Sequence, residues 1–206
     1  MSTPAESDRE NLIPELAEYR RQFERIQQEV RELTSGLAES QFNWRPDETR
    51  WSISENLLHL NIAGDMWRRQ LEETIERARA SGPFSQGPFR YGFLGSQIVR
   101  SMEPPPKRKF RTGRRFLPTN GNPISAVVPT FLHYQDEFIL RVQQANGLDL
   151  ARIKLPFPAM RLIRLGLGQV FALILAHERR HLWQARQVRQ HPQFPAEGAY
   201  RGRPTD

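Results

Sequence analysis

The sequence contains no cysteine. That absence excludes disulfide bonds, thiolate ligands for a metal and a cysteine nucleophile. It also suits a reducing compartment, so we expect a cytoplasmic protein. Any metal site in this chain must use other side chains.

Long apolar runs are missing too. No run approaches the roughly 20 apolar residues that a helix needs to cross a bilayer, and we expect no membrane partner. Residues 1–12 are polar and acidic and lack the pattern of a secretory signal peptide. Strand-like alternation is weak, and no internal repeat is present. These absences favour a soluble, helical protein.

Acidic residues are fewer than basic residues, and the net charge is +7. Part of the excess is concentrated in residues 107–115, where six of nine residues are Lys or Arg. Most charge runs of this kind are solvated loops. The alternative is a surface that binds anions or nucleic acid. Because no recognised nucleic-acid-binding motif is present, we do not expect nucleic acid as a partner.

Four segments have the apolar periodicity of helices, and clear end signals mark the first two. In residues 12–37 the apolar positions alternate in steps of four and three, which is typical of a helix in a bundle. Pro14 falls in the first turn, where its missing N–H does no harm. The second helix begins after Ser52, an N-cap that forms a capping box with Glu55, and Gly82 ends it.

The third and fourth helices follow after a long gap. The third begins with Asn122 as its cap and Pro123 at the first helical position. Asn146 and Gly147 end it. The fourth runs from about residue 165 to residue 191, where a proline closes it.

Two connections separate these helices. Residues 82–123 are rich in proline and glycine, which predicts a long, mostly irregular connection. Residues 148–164 form the second. We predict an all-α four-helix bundle with long crossover connections over residues 10–191. Residues 1–9 and 192–206 are polar and are expected to be flexible termini.

The fourth helix carries two histidines on its apolar face. On a helical wheel, His177 and His181 share one stripe with Val170, Phe171, Ile174, Ala185 and Val188. Residues four apart in a helix point to a common spot, as in the helical half of many metal sites. Two buried imidazoles need hydrogen-bond partners, and a cation satisfies both at once. The alternative is a pair of core histidines whose polar atoms are satisfied by the protein.

A metal site needs a third ligand. His133 lies opposite the apolar stripe of the third helix and His191 lies at a helix end, so both are expected to be exposed. His59 flanks the apolar stripe of the second helix and can reach the bundle interior. Three histidines leave an open coordination position for water or substrate. A divalent cation there would lower the pKa of a water or thiol and present it as a nucleophile.

Four more polar residues are candidates near these histidines. Glu178 shares the buried half of the fourth helix, either as a reactive base, as a group that orients a ligand, or as the partner of an arginine. Glu55 is a second candidate base, although its capping role already accounts for it. Gln184 and Asn56 are candidates to orient a ligand or a substrate.

Three stretches together resemble the DinB-like superfamily of small bacterial bundle proteins. They are WSISENLLHL at 51–60, PPPKRKFRTGRRFLPTN at 104–120 and AHERRHLWQA at 176–185. The resemblance covers roughly residues 10–190. It implies a four-helix bundle with long crossovers that is frequently a homodimer.

The resemblance also implies a metal centre. In this family one histidine of the second helix and two of the last hold the metal, and these map onto His59, His177 and His181. Members with an assigned activity use a low-molecular-weight thiol such as bacillithiol or mycothiol as cosubstrate. We therefore predict a metal-dependent enzyme of the hydrolase or thiol-dependent transferase type that acts on a small molecule, with zinc, nickel or iron as cofactor. The alternatives are a bundle that uses metal only for stability, and anion or nucleic-acid binding through residues 107–115.

Overall fold

The computed structural model describes residues 11–105, 112–158 and 160–196. The predicted terminus 1–9, residues 107–111 of the basic stretch and residues 197–206 lie outside the described residues. In chain order, the described residues form α1 (Pro14–Thr34), α2 (Glu39–Phe42), α3 (Ile53–Ser81), α4 (Phe93–Met102), a 3₁₀ turn (Arg114–Phe116), α5 (Ile124–Gln144), β1 (Lys154–Phe157), β2 (Met160–Gly166) and α6 (Leu167–Arg189). The predominance of helix confirms the predicted all-α fold class.

Four long helices form the bundle. α1 and α3 lie diagonally opposite each other, and each packs against both α5 and α6. Side-chain hydrogen bonds show that α1 and α5 are antiparallel. Gln27, in the second half of α1, donates to Asp136 near the middle of α5, whereas Asn146, just after α5, accepts from the N–H of Ile13, just before α1.

The long crossover follows from a parallel pair of helices. Near the start of both helices, Asn61 on α3 donates to the carbonyl of Val127 on α5. Further along, Arg141 on α5 donates to Glu72 on α3. Because neighbouring helices that run the same way cannot be joined by a tight turn, the chain must return along the length of the bundle between them.

The returning connection contains a helix that the sequence analysis did not predict. Residues 82–123 were expected to be mostly irregular, but α4 occupies ten residues of them. The segment between Gly92 and the prolines at 104–106 contains no proline, so nothing interrupts the hydrogen bonds of a short helix there. α4 packs on α6, and the 3₁₀ turn lies against α3.

The second connection holds a β-hairpin, although strand-like alternation is weak in the sequence. β1 and β2 are antiparallel with Leu155 opposite Leu165, and Leu155 and Phe157 are buried. Pro156 and Pro158 obscure the strand pattern in the sequence. A two-stranded sheet has only edge strands, where a proline that donates no hydrogen bond is tolerated.

The helix ends show which caps are local. The capping box of α3 is confirmed: the N–H of Glu55 donates to Oγ of Ser52 at 3.1 Å, and the N–H of Ser52 donates to the Glu55 carboxylate at 2.9 Å. Asn122 is wrong as the cap of α5. The first N–H of α5, at Ile124, donates to both carboxylate oxygens of Glu39 at 3.0 and 3.1 Å. That cap comes from another segment, so no local pattern reveals it.

The core fills the space between the four long helices. Its largest fully buried side chains come from all four of them, among them Phe23, Leu57, Leu71, Phe131, Phe138 and Phe171. No helix in the described parts of the chain combines the length and the apolarity that a membrane crossing requires.

Candidate metal centre

Three histidines converge between α3 and α6. His177 and His181 lie one turn apart on α6, and His59 faces them from α3. His59 and His181 are 5 % and 7 % exposed, and His177 is half-buried. One ring nitrogen of each histidine lies within 4.8 Å of the corresponding atoms of the other two. The fold thus brings together the three histidines that the sequence singled out.

A backbone carbonyl fixes the tautomer of His59. Nδ1 of His59 lies 2.8 Å from the carbonyl oxygen of Phe116, in the 3₁₀ turn of the long connection. A carbonyl only accepts, so Nδ1 carries the proton and donates. The lone pair of a neutral His59 is therefore on Nε2, which lies 3.1 Å from Nε2 of His177.

An asparagine fixes the tautomer of His181 in the same way. Nδ2 of Asn56 donates to the carbonyl of Ser52 at 2.8 Å, so the other end of this amide, Oδ1, faces His181. Oδ1 lies 2.9 Å from Nδ1 of His181. An amide oxygen only accepts, so Nδ1 of His181 donates and its Nε2 carries the lone pair.

Burial keeps the imidazoles neutral. It lowers the pKa of His177 to about 3, with smaller contributions from His59 and Arg180. It also lowers the pKa of His181 well below its ordinary value, against a side-chain hydrogen bond with Gln184. For His59, burial lowers the pKa and a backbone hydrogen bond opposes it. Because a metal binds the neutral imidazole, burial gives the three rings the charge state that a ligand requires at pH 7.

Aromatic side chains form the walls of this site. The Trp51 ring, just before the N-cap of α3, lies 5.1 Å from the ring of His59 and is stacked at 5.7 Å on that of His181. The Phe116 ring stands edge-on to His59, and the guanidinium of Arg115 lies 4.7 Å from the Phe116 ring centre. The sequence patterns assigned Trp51 and Phe116 no role at the site, and Arg115 only its place in the basic stretch 107–115, because a loop pattern does not show which helix the loop covers.

The donor set fits a divalent cation. Three neutral imidazoles suit zinc, nickel and iron. Zinc-bound nitrogens at roughly 2.05 Å in a tetrahedral arrangement are about 3.3 Å apart, close to the 3.1 Å between Nε2 of His59 and Nε2 of His177. Two nitrogens with facing lone pairs would repel each other at this distance without a cation or a proton between them. A cation or a proton between the two Nε2 atoms would therefore explain why they lie so close together.

The carboxylate of Glu55 is already engaged by other groups. It accepts from Nε of Arg45 at 2.7 Å and from a second guanidinium nitrogen, and it accepts from the N–H of Ser52. Such an ion pair stabilises the charged carboxylate and leaves it no free access to the histidines. This surrounding favours its capping role over its alternative role as a base.

Glu178 lies next to His177 in sequence but pairs with a different helix. Its Oε1 accepts from Nε2 of Gln135 on α5 at 2.8 Å, and Glu178 is 4 % exposed. Burial raises the pKa of Glu178 to about 8, against the hydrogen bond from Gln135. Its carboxylate does not belong to the group of convergent ligand atoms. No pattern in the sequence points to Gln135, because the residue of α5 that faces Glu178 is determined by the packing of the two helices.

Comparison with known proteins gives one finding. The family model described as the DinB superfamily matches residues 22–185, which is more than half of the chain. Neither the curated proteins nor the solved structures gave a match. The match includes all three histidines and agrees with the resemblance found in the sequence. The chain belongs to the DinB superfamily.

Proposed function

We propose that this member of the DinB superfamily binds a divalent cation through His59, His177 and His181 and acts on a small molecule at the open coordination position. The observation that carries the proposal is the convergence of three imidazole nitrogens within 4.8 Å of one another. Zinc, nickel and iron are the candidate metals.

The chain's own residues supply binding, orientation and shielding. The Phe116 carbonyl and the Asn56 amide hold two rings with Nε2 towards the site. Trp51 covers the rings of His59 and His181 and limits the access of water. When bound, the cation would supply Lewis acidity to a ligand at its open position.

The reaction class and the cosubstrate are proposals that the family resemblance supports. A hydrolase and a thiol-dependent transferase both use such a site, and a low-molecular-weight thiol is the cosubstrate that we favour. The exposed guanidinium of Arg115 stands next to the aromatic wall of the site, where it would pair with a cosubstrate that carries an acidic group. We also propose that the protein is a homodimer and that it is cytoplasmic.

Metal content tests the proposal directly. The full chain, purified without a histidine tag, is analysed for metals beside His59→Ala and His181→Ala. His133→Ala is the matched control, because His133 is exposed on α5 and does not belong to the convergent group. We expect about one metal ion per chain in the wild type and the control, and a loss of most of it in the other two. Equal metal content in all four proteins would refute the metal site.

The alternative that the metal serves only stability has its own test. Chelation should then lower the unfolding temperature strongly, while panels of thiols, esters and amides give no turnover with the metal-loaded protein. Turnover of any of these substrates that is lost in His181→Ala supports the enzyme.

The nucleic-acid alternative concerns the basic stretch 107–115, of which only Thr112–Arg115 is described. Titrations with DNA and RNA at low salt that show no binding would exclude it.

A further inference from the structure

We propose that Asn56 is a positioning residue that sets His181 in the Nδ1–H tautomer before any metal arrives. The inference deepens the proposed function, because it concerns the same three histidines. It rests on hydrogen bonds whose directions are fixed by groups that can only accept. Asn56 is 1 % exposed, so water does not compete for its amide.

The orientation of Asn56 depends on how α3 begins. Its Nδ2 donates to the carbonyl of Ser52, the N-cap residue. That residue is held on both sides by Glu55, and the Glu55 carboxylate is paired with Arg45. Rotation of the amide by 180° would place Oδ1 of Asn56 against the Ser52 carbonyl, where two acceptors would face each other. It would also place Nδ2 of Asn56 against the Nδ1–H of His181, where two donors would face each other. The Ser52 carbonyl thus orients the amide that contacts a ring on another helix.

The third ring behaves differently from the other two. Nδ1 of His59 is committed to Phe116 and Nδ1 of His181 to Asn56, so both present lone pairs on Nε2. Nε2 of His177 lies 3.1 Å from Nε2 of His59. In the metal-free protein His177 must therefore supply the proton between them, as the Nε2–H tautomer. Binding of a cation requires only His177 to move its proton, while the other two rings are preset.

Tautomers in the metal-free protein give the first readout. Two-bond ¹⁵N–¹H correlation spectra of the imidazoles distinguish Nδ1–H from Nε2–H rings, with exposed His133 as the internal reference. We expect Nδ1–H for His59 and His181 and Nε2–H for His177. In Asn56→Leu, the His181 signals should shift towards Nε2–H. An Nε2–H tautomer of His181 in the wild type, or an unchanged one in Asn56→Leu, would overturn the proposal.

Zinc affinity gives the second readout. By calorimetry at pH 7, Asn56→Leu should bind Zn²⁺ roughly 10- to 100-fold more weakly than the wild type. Asn61→Leu is the matched control, since Asn61 is a buried asparagine of the same helix whose amide donates to the Val127 carbonyl and not to a histidine. Asn61→Leu should keep the tautomer of His181 and bind Zn²⁺ within about threefold of the wild type, because it leaves Asn56 at Nδ1 of His181. Gln184→Leu is measured beside it as the rival positioning residue, because Gln184 also forms a side-chain hydrogen bond with His181. A larger loss in Gln184→Leu than in Asn56→Leu would contradict the assignment.

Two further outcomes are distinguishable. If Asn56→Leu does not fold, Asn56→Asp keeps an acceptor at Nδ1, and the proposal requires that it retain both the Nδ1–H tautomer and Zn²⁺ affinity; loss of the tautomer there counts against it. If the wild type binds no Zn²⁺, Ni²⁺ or Fe²⁺, the proposed function fails. The tautomer spectra then still decide whether Asn56 positions His181.

Discussion

Two buried polar groups lie side by side on α6, and they differ in where their polar atoms point. The three histidines direct ring nitrogens at one another across the interface with α3. Glu178, next in sequence to His177, turns to Gln135 on α5. Burial favours the neutral form in both places, so it lowers the pKa of His177 to about 3 and raises that of Glu178 to about 8.

The two groups differ in whether their buried polar atoms find partners within the protein, and that difference indicates which group needs a ligand. Glu178 Oε2 and Gln135 Oε1 have no hydrogen-bond partner when Glu178 is counted as an acceptor only. Protonation removes the buried charge of Glu178 and gives its carboxyl group a donor, so this pair does not need a cation. The histidine group has no such internal solution for all three rings, because two of them present lone pairs. A cation would complete the histidine group, whereas protonation alone gives Glu178 its neutral buried form.

Metal-dependent stabilisation should separate the two groups most strongly. Zn²⁺ at a thousandfold excess over its Kd should stabilise the wild type by about 4 kcal/mol. Glu178→Gln should gain as much, because its side chain is outside the ligand set. His177→Ala should gain little. Thermal unfolding with and without Zn²⁺ measures this, and an equal gain in His177→Ala would contradict the comparison.

Acid should destabilise the metal-free protein through the histidines. Their folded-state pKa values are depressed, so the unfolded chain binds more protons below its ordinary pKa of about 6.5. Stability is then complete above that pH and is lost as the pH falls, by up to about 1.4 kcal/mol per pH unit for each histidine. Urea unfolding between pH 7 and 5 with a chelator measures the slope. His177→Gln should flatten it, whereas a slope altered to the same extent in His133→Gln would assign the effect elsewhere.

Alkali should act through Glu178 in the opposite sense. Its folded-state pKa is raised, so the stability is complete below about pH 4.5 and is lost as the pH rises through about 8. Glu178→Gln removes the charge that must be buried and should be more stable than the wild type at pH 9 by about 1 to 3 kcal/mol. Urea unfolding at pH 5 and pH 9 checks this. Glu76→Gln, at an exposed position of α3, should show no such gain, and an unchanged Glu178→Gln would mean that the pair is not proton-linked.

The smallest effect is expected at the cap behind Asn56. Ser52→Ala removes the hydroxyl that accepts from Glu55 and should cost about 1 kcal/mol. The Ser52 carbonyl remains, so Zn²⁺ affinity should fall less than in Asn56→Leu. Ser81→Ala, at the other end of α3, is the control. A loss of affinity in Ser52→Ala as large as that in Asn56→Leu would place the anchor in the capping box and not in the Asn56 amide.

The sequence predicted those parts of the fold that have local causes. Periodicity and the capping box at Ser52 identified α3, and the four-residue spacing of His177 and His181 placed both on one face of α6. The hairpin and α4 were missed because prolines dominate their surroundings. The cap of α5 was misassigned because Glu39 reaches it from another segment.

The partners of the site residues could be predicted less well. A stripe on one helix shows that Glu178 is buried, but not that Gln135 faces it. Asn56 was a candidate to orient a ligand or a substrate, yet the atom it contacts, Nδ1 of His181, depends on the register between α3 and α6. Whether the three histidines hold a metal stays a prediction until metal content is measured.

The parallel packing of α3 and α5 has a consequence for how such a protein diversifies. The chain between them must travel back along the bundle, and on that path it delivers the Phe116 carbonyl to His59. The helices supply the three histidine rings, and the connection supplies a wall of the site. A different connection would therefore change the wall of the site and leave the histidines in place, provided that the new segment still presents one carbonyl to His59.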